Sequence, residues 1–119
     1  MNHENLKKGT KQFALDVIRF VEELPPNRTC NIIGNQLLRA GTSVGANYRA
    51  ACRAKSAADF ISKMGTVEEE ADESGYWTEL LVDAGKIKLA DASVLIKETG
   101  ELTAIAVSSI NTTRKSGGR

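Results

Sequence analysis

Arg39, Arg49 and Arg53 fall on one face of a helical segment beside Asn35, Thr42 and Ala46, in repeated steps of four and three residues. Guanidinium groups aligned in this way suit bidentate contacts to phosphate oxygens. From Arg28 to Lys63 the chain carries six bases (Arg28, Arg39, Arg49, Arg53, Lys55 and Lys63) and one acid, Asp59. The next stretch reverses the sign: Met64 to Asp83 holds seven acids (Glu68, Glu69, Glu70, Asp72, Glu73, Glu79 and Asp83) and no base. Two readings of this segregation stay open. In one, the charged surfaces face each other within a bundle and pair, at about 0–1 kcal/mol per exposed pair. In the other, the basic stripe with Lys55 and Lys63 faces outward or into a pore and meets nucleic acid.

Other chemistries find little material. His3 is the only histidine, which argues against a Ser-His-Asp or Cys-His site. The Glu-x-x-His pairs of a di-metal carboxylate bundle are missing. Glu69 and Glu73 share a helical face, as do Glu68 and Asp72, but an acidic face is usually a solvated one. No Gly-rich loop follows a strand. Cys30 and Cys52 are too far apart for a Cys-x-x-Cys motif and read as plain thiols. No catalytic residue, metal ligand or cofactor is therefore expected.

The elements that carry these residues follow from the apolar pattern. At 119 residues, 41% hydrophobic and 26% charged, with a net charge of +1, the chain suits one globular domain. No apolar run is long enough to span a membrane, and the N-terminus lacks a signal-peptide core, so a cytoplasmic protein is expected. That compartment would leave both thiols reduced and the Asn27 and Asn111 sequons unused. Leu6, Phe13, Val17, Phe20 and Leu24 mark a first helix over about 6–24, stopped by Pro25-Pro26. Capping oxygens at Asn27, Thr29 and Asn31 open a second helix, over about 29–55. Ser56 and Asp59 resemble a capping box for a third, over 57–84, buried through Phe60, Met64, Val67, Ala71, Trp77, Leu80, Leu81 and Ala84. Gly85 is its natural C-cap. A fourth, over 89–114, carries Leu95, Leu102, Ile105, Ala106 and Ile110, and 115–119 reads as a flexible tail. The fold expected is all-α, an antiparallel up-down-up-down four-helix bundle in a single domain, 1–119.

The second helix contains a local conflict, because interior glycines cost roughly 1 kcal/mol each relative to alanine. Ile33, Leu37, Val44 and Ala51 form its ordinary core stripe. Gly34, Leu38, Gly41, Gly45, Tyr48 and Cys52 form an adjacent line that includes Gly-x-x-x-Gly, the spacing of closely approaching helices. Gly34, Gly41, Gly45 and Tyr48, with Trp77 from the third helix, are thus candidates for a close-packing face. That face lies either inside the bundle or against a neighbouring subunit. Thr42 and Ser43 can bond back to the preceding turn, so they need not be reactive hydroxyls.

The blocks "GNQLLRAGTSVGANYRAACRAKSAADF" and "EEADESGYWTELL" resemble the four-helix-bundle family of proteins encoded in intervening sequences of bacterial large-subunit rRNA genes. The accessory variability determinant proteins of diversity-generating retroelements are similar to the same family. The likeness covers about residues 6–112 and matches at Gln36, Leu37, Leu38, Arg39, Thr42, Ser43, Gly45, Asn47, Phe60, Glu70, Glu73, Tyr76 and Trp77. It implies an antiparallel bundle assembled into a ring-like homopentamer. For the retroelement branch it also implies binding to nucleic acid and to a reverse-transcriptase-type protein through basic surface. The function expected is a non-enzymatic, homo-oligomeric scaffold or accessory factor that associates with RNA or DNA. The alternative is an oligomeric module for protein contacts alone.

Overall fold

The computed structural model describes residues 3–117. Four helices account for nearly all of them: α1 (His3–Glu22), α2 (Arg28–Cys52), α3 (Ala57–Asp83) and α4 (Leu89–Gly117). They pack side by side into a body of 52 × 21 × 20 Å. No strand occurs among the described residues.

The helix ends are set by local hydrogen bonds. Asn27 is extended and its Oδ1 accepts from the Cys30 N–H at 2.9 Å, opening α2. Ser56 does the same for α3, its Oγ accepting from the Asp59 N–H at 3.0 Å. The Asp59 carboxylate reaches back one residue further than in a regular capping box, to the Lys55 N–H at 3.1 Å. This cap explains why α2 stops at Cys52 and not near 55. The extended Ser56 needs a link before it, and Arg53 and Ala54 supply one by bonding to Ala50 O and Ala51 O. α3 closes on Gly85 in the left-handed region (φ +73°), with Lys86 N–H donating to Leu81 O and Gly85 N–H to Val82 O. That pair of bonds is a Schellman ending, which glycine adopts without strain. Ala84, placed in the buried set by its spacing, is exposed because it caps the end of α3. α4 continues through 115–117, where the sequence suggests a flexible tail; residues 118–119 of that tail lie outside the described residues.

The core is aliphatic, as the low aromatic content suggests. Phe13, Val17, Leu37, Val44, Met64, Ala71 and Ala106 are almost fully buried, and each large side chain so removed from water contributes about 1.5–3 kcal/mol. Thr10, Ser74, Thr78 and Thr99 are buried too. Their hydroxyls donate to the carbonyls of Lys7, Glu70, Ser74 and Ile96 in their own helices. Among the described residues no buried side-chain polar atom lacks a partner, so the polar core is satisfied rather than reactive.

Each helix packs broadly on the next in the chain, whereas α1 and α4 meet only sparingly. Their seam is a groove of about 250 Å³ lined partly by Leu6, Phe13, Leu102 and Glu98. There Glu98 is pushed up to about 7, first by burial, then by the negative charge of Asp16 and a hydrogen bond to it, then by Glu101.

Two measurements probe this packing. A Cβ on Gly41 would lie 2.7 and 2.9 Å from the Val17 methyl carbons, whereas one on Gly65 meets nothing within 4 Å. In denaturant melts, Gly41→Ala should therefore destabilise by about 1–3 kcal/mol and Gly65→Ala should stabilise by about 0.5–1 kcal/mol. The Glu98 carboxyl holds its proton up to about pH 7 when folded but releases it near its ordinary 4.5 when unfolded. Stability tied to that proton is complete below pH 4.5 and is lost as pH rises through 7. Glu98→Gln should flatten this part of the stability–pH profile and make the variant more stable than the parent at pH 8, by roughly 1 kcal/mol for so partly exposed a group.

Candidate nucleic-acid interface

The basic stripe on α2 divides in two. Arg39 reaches across to α3, where its Nη1 donates to Glu70 Oε2 at 3.2 Å and its Nη2 pairs with Glu73. The hydrogen bond to Glu73 and the charge of Glu70 raise the Arg39 pKa further above its already high value. Glu73 Oε2 also accepts from the Trp77 indole N–H at 3.0 Å, so one carboxylate ties an arginine of α2 to an aromatic of α3. Lys63 is committed as well, its Nζ lying 2.5 Å from Asp59 Oδ1 one turn earlier. The Lys63 hydrogen bond, followed by that of the Lys55 N–H, holds the Asp59 carboxyl below its usual range.

Arg49 and Arg53 stand apart from these pairs. Both are exposed, and among the described residues neither has an acidic partner. Arg53 caps α2 and its Nη1 donates to Arg49 O at 3.3 Å. Lys55 lies exposed in the link to α3 rather than on the α2 helix. Arg49 lines an open groove of about 520 Å³ between α1 and α2, opposite Lys7, Lys8 and Lys11. Among the described residues Glu4, paired with Lys7 at 3.5 Å, is the one acid on this lining. The five bases singled out in the sequence therefore do not form one surface. Arg39 and Lys63 belong to ion pairs, while Arg49 joins three lysines of α1 that the sequence reading leaves out. The signal was present as Lys-Lys-x-x-Lys, whose one- and three-residue steps keep the amines to one side of α1.

The glycine line has a direct explanation. A Cβ at Gly34 would lie 3.1 Å from Leu24 Cδ1, one at Gly41 would overlap Val17, and one at Gly45 would lie 3.3 Å from Thr10 Oγ1. All three contacts are with α1 or its C-terminal turn in the same chain, so the line is an internal helix crossing. Tyr48 continues it, buried against the N-terminal end of α1 with His3 edge-on at 6.2 Å, and burial raises its phenol above the ordinary value. Trp77 does not share this face. It is half-buried on α3, edge-on to the exposed Tyr76 at 5.1 Å and packed on the core. Thr42 and Ser43 bond back to Leu38 O and Arg39 O at 2.7 and 2.8 Å. A second close crossing escapes the sequence reading: a Cβ on Gly75 of α3 would lie 2.9 Å from Thr99 Oγ1 of α4.

The sequence pattern of the 23S rRNA-intervening sequence protein family matches residues 4–108. The chain belongs to that family. It is also similar to a crystal structure of a protein of unknown function from the S23 ribosomal protein family of Bacteroides thetaiotaomicron. The two share 33% identity with a TM-score of 0.81, over 87% of this chain and 96% of that one. No curated protein matches the chain. The family pattern spans α1 through most of α4, so it includes both the Arg39–Glu73 bridge and the α1–α2 groove.

The bridge makes its own prediction. Arg39→Ala leaves Glu70 and Glu73 without their shared cation and frees the carboxylate that holds the Trp77 N–H. The thermal midpoint should fall and Trp77 emission should change, with the stability difference from the parent shrinking at high salt, where the pair is screened.

Proposed function

We propose that the chain is a non-enzymatic accessory protein that forms a homo-oligomeric ring, a pentamer, and associates with nucleic acid through its α1–α2 face. The observation that carries the reading is the groove, where Lys7, Lys8, Lys11 and Arg49 converge with one opposing acid. Basic side chains without acidic neighbours attract phosphates and release their counterions. The family's description, which ties it to an intervening sequence of 23S rRNA, supports RNA as the first nucleic acid to test.

The bundle is read as antiparallel and up-down-up-down. Positions 34, 41 and 45 of α2 meet Val21 and Leu24, Val17 and Thr10 in turn, so the contacts descend α1 as they ascend α2. Assembly is supported by large apolar residues left on the surface, including Ile32 and Tyr76, each 57% exposed, and Val94, 71% exposed. Where such residues adjoin on the surface, they suit contacts with further copies. A second reading, assembly for protein contacts alone, is favoured by one observation: Arg39 and Lys63 are already paired within the chain.

Light scattering should return five times the monomer mass; a monomer at micromolar concentration would remove the ring. Titration of RNA and duplex DNA at low salt should show binding that weakens steeply as salt rises. Arg49→Ala/Arg53→Ala should weaken it and make the salt slope shallower by about 0.7–0.9 for each phosphate no longer neutralised, while Arg39→Ala should bind as the parent does. Absence of binding by the parent would leave the protein-only assembly.

A further inference from the structure

We infer that a furrow between α3 and α4 of one copy receives the outer edge of α1 of the next copy, head to tail. The contact rests on the ring assembly proposed above and names its interface. The furrow has two stretches. One, of about 340 Å³, is lined partly by Gly65 and Glu68 of α3 and by Val107 and Asn111 of α4. The other, of about 390 Å³, is lined partly by Asp72 and Glu79 of α3 and by Gly100 and Ala104 of α4. Positions 65, 68, 72 and 79 recur in steps of three, four and seven, so they share one edge of α3 and the stretches continue each other.

Two glycines on this furrow are not used by packing within the chain. Gly34, Gly41, Gly45 and Gly75 each lie close against a neighbouring element, but a Cβ on Gly65 or Gly100 would meet nothing within 4 Å. Both still carry the conformational cost of glycine in a helix interior, and both leave room for another backbone to come near. The charge of the furrow is unbalanced as well. Among the described residues Glu68, Asp72 and Glu79 belong to no ion pair, and Arg114, at one end, is the one base on the lining.

The outer edge of α1 matches this furrow in charge and spacing. Lys8, Leu15 and Arg19 are exposed, and steps of seven and four residues place them along one edge. Among the described residues Lys8 has no acidic partner, and Arg19 has only Asp16 at 3.8 Å. Lys8 and Arg19 are as far apart as Glu68 and Glu79, about 16 Å of helix axis in each case. Within one chain α1 and α3 do not pack on each other, so the match is met only between copies. On the up-down-up-down reading α1 and α3 run the same way, as Arg39 of α2 meets Glu70 and Glu73 while Tyr48 shares a cavity with Phe60. Rotation about a ring axis along the bundle keeps them parallel. Lys8 then falls on Glu68, Arg19 on Glu79, and Leu15 level with residue 75. Thr99 Oγ1 lies 2.9 Å from the position of a Cβ on Gly75, so the opening at Gly100 is at that level and takes the Leu15 side chain. Lys7, Lys11 and Arg49 remain for the α1–α2 groove.

The test follows the mass of the full chain by light scattering over a dilution series, with circular dichroism to show each variant folded. Gly100→Leu fills the opening without entering the chain's own core, and should dissociate at a concentration at least about tenfold higher than the parent. Lys8→Glu and Glu68→Lys, each alone, set like charges face to face and should weaken assembly about tenfold. Combined in one chain they restore the pair with its signs exchanged, and assembly should return to within about threefold of the parent. If Gly100→Leu does not fold, the charge reversals alone decide. Folded single variants that assemble as the parent does, or a double variant that assembles no better than either single one, would overturn this contact while leaving the ring. A parent that is monomeric at micromolar concentration would overturn both.

Discussion

The packing of Val17 against Gly41 constrains everything else on the α1–α2 side of the molecule. With the Val17 methyl carbons 2.7 and 2.9 Å from the position a Cβ would take, no other residue at 41 keeps the two helices this close. Close packing fixes register as well as distance, because a shift of one residue would bring larger side chains into the same space. With 41 set on 17, position 45 falls on Thr10 and position 49 falls beside Lys7, Lys8 and Lys11. The groove is thus a consequence of the crossing. The conformational cost of glycines in a helix interior is offset by contacts that alanine would prevent.

The opposite side of α2 is held by different physics. There Arg39 meets Glu70 and Glu73, and Glu73 in turn holds the Trp77 indole. Such a bridge is only partly buried and adds little through charge alone. Its value lies in direction: a planar guanidinium with two carboxylates on neighbouring turns specifies how α3 is rotated against α2. One helix is accordingly positioned by shape on one flank and by charge on the other.

Much of this is legible in the sequence, and what is not has physical causes. The apolar stripe of α1 stands out because Phe13 and Val17 recur at helical period, and both are fully buried. The small-residue line on α2 points to a close crossing, but a single helix does not reveal its neighbour, so an inter-subunit face and an internal one look alike. Lys7, Lys8 and Lys11 escape for the same reason. Their role depends on facing Arg49 from another helix, a relation absent from the local pattern. The end of α2 is misplaced by pattern alone because nothing between Ala50 and Lys55 breaks a helix; the break is imposed by the Ser56 cap of the next one. Trp77 is placed with the glycines because a large aromatic is expected to bury at a packing face, yet it lies on a helix that does not take part in that crossing.

The near-zero net charge is compatible with one locally basic face because of how the four helices are arranged. α3 carries the acidic run, and it packs on α2 and α4 but not on α1. The α1 lysines and the α3 acids therefore occupy opposite corners of a body about 20 Å across. At physiological ionic strength the field of an exposed charge is largely screened beyond about 8 Å, so the acids of α3 act on the cations they touch and hardly on those across the bundle. Arg39, nearest to α3, is neutralised, and Arg49, turned toward α1, is not. A stripe of one sign on a single helix is in this way divided by its two neighbours into a paired half and an unpaired half.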